Sequence, residues 1–186
     1  MKAFIEEKRF DSKIIFKDAS FSIPKLSHTA VVGPSGCGKT TLMRILSGLD
    51  CDFKGTIEDK AEFPLILFQE DRLQERISVL SNLMAVTDDR SKALEMLSLL
   101  SLRGEEKSIV HTLSGGMKRR VAIARVLLLD SDYLFLDEPF RALDSKLRTV
   151  ASKLILEYAK GRTLVFVTHD EGDLTLLEAD SVIKLG

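Results

Sequence analysis

The chain has 186 residues, 45% hydrophobic and 30% charged, with 27 basic side chains against 28 acidic ones and a formal net charge of −1. That length suits one α/β domain or one domain with a small lobe, and the charge balance provides no general field for gripping nucleic acid or anionic lipid. Apolar runs such as Val126–Leu129 are too short to cross a bilayer, the acids within Met1–Glu7 argue against a secretory leader, and two cysteines, Cys37 and Cys51, make no disulfide framework and fit a reducing compartment.

In chain order, Ala19, Phe21 and Ile23 alternate with Ser20 and Ser22, the pattern of a half-buried antiparallel strand stopped by Pro24. Thr29–Val32 is a short apolar strand that runs into Gly33–Gly38. A helix follows from about Lys39, predicted to bury Leu42, Ile45, Leu46 and Leu49 and to break near Gly48. Leu65–Phe68 is apolar on both faces and reads as a buried central strand. Between about Arg72 and His111 the texture turns helical, with Ala93, Leu94, Met96, Leu97, Leu99 and Leu100 at helix spacing. The β/α pattern then resumes: helix 115–129, strand 133–136, helix 145–159, strand 163–167, helix 171–179 and strand 181–185. Strands alternating with helices imply a mostly parallel sheet covered on both faces.

Three segments carry chemistry. Gly33-Pro34-Ser35-Gly36-Cys37-Gly38-Lys39-Thr40 has the spacing of a phosphate-binding loop and sits between a strand and a helix. Its glycines let backbone N–H groups approach oxygen atoms, the helix start adds a positive dipole end, Lys39 supplies a point charge, and Thr40 offers a hydroxyl to Mg²⁺. Thr41 supports the same helix end, and Cys37 reads first as a small residue that fits. The pattern specifies a nucleoside triphosphate. Tyr133-Leu134-Phe135-Leu136-Asp137-Glu138-Pro139 delivers two carboxylates at the end of an apolar strand: Asp137 suits Mg²⁺, and Glu138 suits positioning and deprotonating a water. Ser114-Gly115-Gly116 opens a further helix with a good N-cap and exposed backbone N–H groups, a second anion cradle. Either two phosphate ligands bind, or the second cradle closes over a nucleotide held by another copy.

In this order the motifs resemble those of the ATP-binding subunits of ABC (ATP-binding cassette) transporters, over nearly the whole chain. Gly33–Thr40 matches the Walker A loop, Gln69 the Q-loop, Leu113–Gly116 the signature motif, Leu134–Glu138 Walker B, Ala142–Asp144 the D-loop and His169 the switch histidine. The resemblance implies a P-loop, RecA-like core (about 1–72 and 118–186) with an N-terminal antiparallel β part and a helical subdomain at about 73–117. It also implies a head-to-tail homodimer, each ATP held between one copy's phosphate loop and the other's Ser114-Gly115-Gly116. Phe10 would stack on adenine, Gln69 would sense Mg²⁺ and the attacking water, and Asp144 would sit at the dimer interface. His169 would contact the γ-phosphate, whereas His28 and His111 read as surface residues.

The output would leave the chain through a separate transmembrane permease, docked on the helical segment and served by an extracytoplasmic substrate-binding protein. That would hold the ATPase on the cytoplasmic face of the membrane. Phe68–Leu73 most resembles importers of the nitrate, sulfonate and taurine group, although Gln74-Glu75-Arg76 replaces their usual proline-tryptophan pair. Met117 stands where the signature motif has glutamine, Arg141 where a small residue is common, and Ser27-His28 where Gly-Glu is usual. No C-terminal regulatory domain is expected. Exporter or lipoprotein-release ATPases are variants of this reading. A soluble ABC ATPase of translation or DNA repair fits poorly with one short chain lacking a basic patch, and intact Glu138 and His169 argue against a non-hydrolysing cassette.

Overall fold

The computed structural model describes residues 1–186, which divide into two compact units. The first comprises residues 1–66, 131–137 and 161–186, and the second 67–130 and 138–160.

The first unit carries two sheets. β1 (Lys2–Phe10) pairs antiparallel with β2 (Lys13–Ser22) on one side and with β4 (Lys54–Glu58) on the other. The second sheet has the order β5-β6-β7-β3-β8, from β3 (His28–Val32), β5 (Pro64–Leu67), β6 (Tyr133–Asp137), β7 (Thr163–Val167) and β8 (Ser181–Lys184). β6, β7, β3 and β8 are mutually parallel. The register is informative: Asp137 of β6 and Val31 of β3 both lie opposite Val167 of β7. The three strands therefore end nearly level: Thr168 follows directly on that row, and Gly33 one residue beyond it, after Val32.

α1 (Lys39–Leu46) buries Leu42, Met43, Ile45 and Leu46. These join Ile5, Phe16, Val31, Phe135 and Val165 in one core, so both sheets and the helix after the phosphate loop are packed as a single body of apolar side chains. α6 (Glu171–Leu176) completes the unit.

The second unit is helical: α2 (Val79–Met84), α3 (Arg90–Leu99), a 3₁₀ turn at Val110–Thr112, α4 (Gly115–Leu127) and α5 (Ser145–Ala159). Each α-helix begins on a side-chain cap, Ser78, Asp89, Ser114 and Asp144 accepting from a backbone N–H in the first turn. α5 covers the expected helix 145–159, and of its apolar stripe of Leu147, Val150, Ala151, Leu154, Ile155 and Tyr158 it buries Ala151, Leu154 and Ile155.

Three expectations are corrected. Leu65–Phe68 is not central: β5 lies at the edge of its sheet and is mostly half-buried, since an apolar run shows that a strand packs but not how many neighbours it has. Leu49 is 49% exposed because α1 ends at Leu46 and the turn at Gly48 carries it off the helix face. His28 is half-buried, its Nδ1 2.9 Å from the Leu177 carbonyl, so it is a packing residue of the sheet edge.

Lys8 is a buried cation, 1% exposed. Its ammonium donates to Asp50 Oδ1 at 2.9 Å and to the Asp52 carbonyl at 2.5 Å, tying β1 to the chain between α1 and β4. Lys8→Ala leaves the largely buried Asp50 carboxylate without this partner and is expected to cost about 2–3 kcal/mol, read from the urea midpoint at unchanged slope.

Candidate functional site

Gly38 caps α1 with φ 106°, a left-handed conformation. A Cβ there would stand 2.7 Å from Ile15 Cγ2 and 2.9 Å from the Phe16 ring, so glycine satisfies both the turn and the close approach to β2. The loop arches from the end of β3 back onto α1. Lys39 folds its ammonium over the arch and donates to the Gly33 and Pro34 carbonyls, each at 2.8 Å, so the charge is stationed where a phosphate would meet it. Cys37 is half-buried with its sulfur turned toward Gly33, in keeping with a small residue that fits.

Asp137, the last residue of β6, is 2% exposed, and its Oδ2 accepts from the Thr40 hydroxyl at 2.8 Å. Two hard oxygen groups thus converge at the mouth of the loop. That donor set suits Mg²⁺, which takes few protein ligands and completes its shell with phosphate and water. His169 follows β7 and is exposed. The turn bearing it is built by Thr168, whose hydroxyl donates to the buried Asp173 at 2.5 Å and accepts from the Asp170 N–H at 3.0 Å. Phe10, at the end of β1, is 50% exposed, its ring face 4.7 Å from the Lys8 ammonium and its surface open to a stacking partner.

In the second unit, Glu138 adopts φ 47° and is half-buried. Gln69 is exposed in the irregular segment after β5. Ser114 caps α4, its Oγ accepting from the Met117 N–H at 3.3 Å, and Gly115 and Gly116 form the first turn beside Ala142. Lys118 bonds Glu75 at 2.9 Å, and that hydrogen bond, with the ammonium charge, holds the Glu75 carboxyl below its ordinary range. Asp144 caps α5 through the Leu147 N–H at 2.8 Å. The chain reading did not single out Arg119, which is buried here and bonded to the Glu138 carbonyl; a basic run before an apolar helix carries no sign of which arginine turns inward.

Residues 16–141 match the ABC transporter family. This chain belongs to it. It is 36% identical to an aliphatic sulfonates import ATP-binding protein of Pseudomonas syringae pv. tomato, over 98% of this chain and 80% of that one. It is 37% identical to the protein of the same description from Bacillus subtilis, over 91% of this chain and 71% of that one. A dimeric ATP-binding cassette solved in a post-hydrolysis state with ADP and Pi superposes with a TM-score of 0.81 at 25% identity, covering 100% of this chain and 94% of that one. As a member of this family the chain is an α/β ATP-binding subunit that binds and hydrolyses ATP.

The two glycines of the second cradle are not equivalent. A Cβ on Gly116 would lie 2.6 Å from the Ala142 carbonyl oxygen, whereas one on Gly115 would make an ordinary 3.8 Å contact with Ala142 Cβ. Gly116→Ala is expected to lower stability by about 1–3 kcal/mol and Gly115→Ala to leave it within about 0.5 kcal/mol, by chemical denaturation.

Proposed function

We propose that the chain is the motor of an importer for small organic anions of the aliphatic sulfonate type, acting through a separate permease. The observation that carries the catalytic reading is the 2.8 Å approach of the Thr40 hydroxyl to Asp137, which gathers strand end, helix start and phosphate loop at one point. The import reading rests on the sulfonate importers at 36% and 37% identity.

In this reading Phe10 stacks on adenine, the Gly33–Gly38 amides and Lys39 bind the phosphates, and Thr40 and Thr41 hold the helix end against them. Thr40 and Asp137, with Gln69, would hold Mg²⁺, which neutralises charge on the phosphate oxygens when bound. Glu138 takes a proton from the attacking water, and His169 and Gln69 orient that water against the γ-phosphate. Ser114, Gly115 and Gly116 of a second copy close over the same nucleotide, so the ATP-bound state is a homodimer. The segment at about 73–117, carrying α2 and α3, forms the helical subdomain on which the permease docks. No helix of the chain is long and apolar enough to cross a membrane, which fits a peripheral place on the cytoplasmic face.

Glu138→Gln keeps the shape and hydrogen-bonding reach of the side chain but removes its basicity. It is expected to bind ATP with unchanged affinity, to lose at least about 100-fold in turnover and to accumulate as a dimer in sizing chromatography with ATP and Mg²⁺. Normal turnover would refute the assignment. For the transport reading, proteoliposomes containing the chain, its permease and a substrate-binding protein should hydrolyse ATP faster when an aliphatic sulfonate is added. Equal stimulation by an uncharged sugar, or by neither, counts against a sulfonate importer.

A further inference from the structure

The largest fully buried side chain of the molecule is a cation, Arg119, 1% exposed on α4. Its Nε donates to the Pro139 carbonyl at 3.0 Å and its Nη2 to the Glu138 carbonyl at 2.8 Å. Nη1 donates to the Phe68 carbonyl at 2.6 Å and to Asp71 Oδ1 at 3.1 Å. A guanidinium withdrawn from water is tolerated only when its N–H groups are matched by acceptors, and here they are.

The choice of acceptors points beyond stability. An ion pair with Asp71 requires one carboxylate, yet three backbone carbonyls are engaged as well. They belong to the two segments that bear the proposed water-handling groups: Phe68 immediately precedes Gln69, and Glu138 is the proposed base itself. Glu138 stands at φ 47°, a left-handed conformation costing a non-glycine residue on the order of 1 kcal/mol, so external support decides whether it persists. The bond from Arg119 Nη2 is the shorter of two on that carbonyl, which also accepts from the Arg141 N–H at 3.1 Å within its own turn, and of the two it alone ties the turn to α4. A second arginine of α4 acts on the same segment, Arg125 Nη2 donating to the Arg72 carbonyl at 2.8 Å. Arg72 in turn lays its guanidinium 3.5 Å from the centroid of the Phe68 ring.

We infer that Arg119 is a positioning residue for hydrolysis: through the carbonyls of Phe68 and Glu138 it sets where the Gln69 carboxamide and the Glu138 carboxylate stand. It is carried by the helix whose first turn is Ser114-Gly115-Gly116, so the backbone that meets a partner's nucleotide and the clamp on the base move as one rigid element. The inference rests on the reading of Glu138 and Gln69 given above. Arginine is required because a planar fork reaches acceptors on both segments at once, whereas the lysine ammonium is a single point.

The test compares wild type, Arg119→Lys, Arg119→Met and Glu138→Gln in steady-state hydrolysis of Mg-ATP, nucleotide binding and thermal denaturation. The grip on ATP lies elsewhere, so a displaced base is felt in kcat. Arg119→Lys is expected to lower kcat at least about tenfold while KM and ATP affinity stay within about threefold, and Arg119→Met to lower kcat further. If Arg119→Met does not fold, Arg119→Lys carries the result. Wild-type kcat in Arg119→Lys beside an inactive Glu138→Gln overturns the inference alone, as does a parallel fall in kcat, affinity and melting temperature. An active Glu138→Gln overturns the assignment of the base and the inference with it.

Discussion

The site depends on one row of the parallel sheet. Val31, Val167 and Asp137 stand opposite one another, so three strands drawn from distant parts of the chain release their next residues at a common edge. In open α/β sheets the carboxyl ends of parallel strands form the natural crevice for ligands, because the chain must leave the sheet there and loops replace strands. Here β3 releases the phosphate loop and β7 releases Thr168 and His169, while β6 ends in Asp137. The Thr40–Asp137 hydrogen bond is a direct reading of that register. A one-residue slip of β6 would turn Asp137 to the other face and bring Leu136 to the helix start.

Burying charge is the second theme. Lys8, Arg119 and Arg120 all lie at or below 8% exposure, and each spends its donors on backbone carbonyls as well as, or instead of, carboxylates. Such bonds stabilise little relative to a well-packed apolar side chain, but they define where irregular backbone must run. Lys8 fixes the chain after α1. Arg120 donates to the Leu100 and Ser101 carbonyls, closing the C-terminal end of α3, and burial pushes its pKa down from the usual guanidinium value. Loops with few apolar contacts gain a defined path from a few multidentate cations.

Much of this was legible along the chain because some structural demands are local. The helix Ser145–Ala159 is bounded by the Asp144 cap and by Gly161, and its stripe admits one facing, so both ends could be read. The phosphate loop was equally plain, since glycine at a left-handed helix cap followed by lysine and threonine leaves little else to build. β4 was not read: Lys54-Gly55-Thr56-Ile57-Glu58 is polar and exposed apart from Ile57, and it becomes a strand because β1 offers it a ladder. The edge position of β5 was missed for the same reason.

By itself the sequence determined the order of the motifs, the residue types able to meet phosphate and magnesium, and the periodicities of the long elements. These follow from backbone conformation and side-chain chemistry within a few residues. Tertiary structure alone decided strand order, the meeting of Thr40 with Asp137, and the burial of Arg119 against the Phe68 carbonyl, a partner 51 residues away. Those pairings are set by which surfaces the packed core brings face to face, and no local pattern encodes the distance between residues that only folding joins.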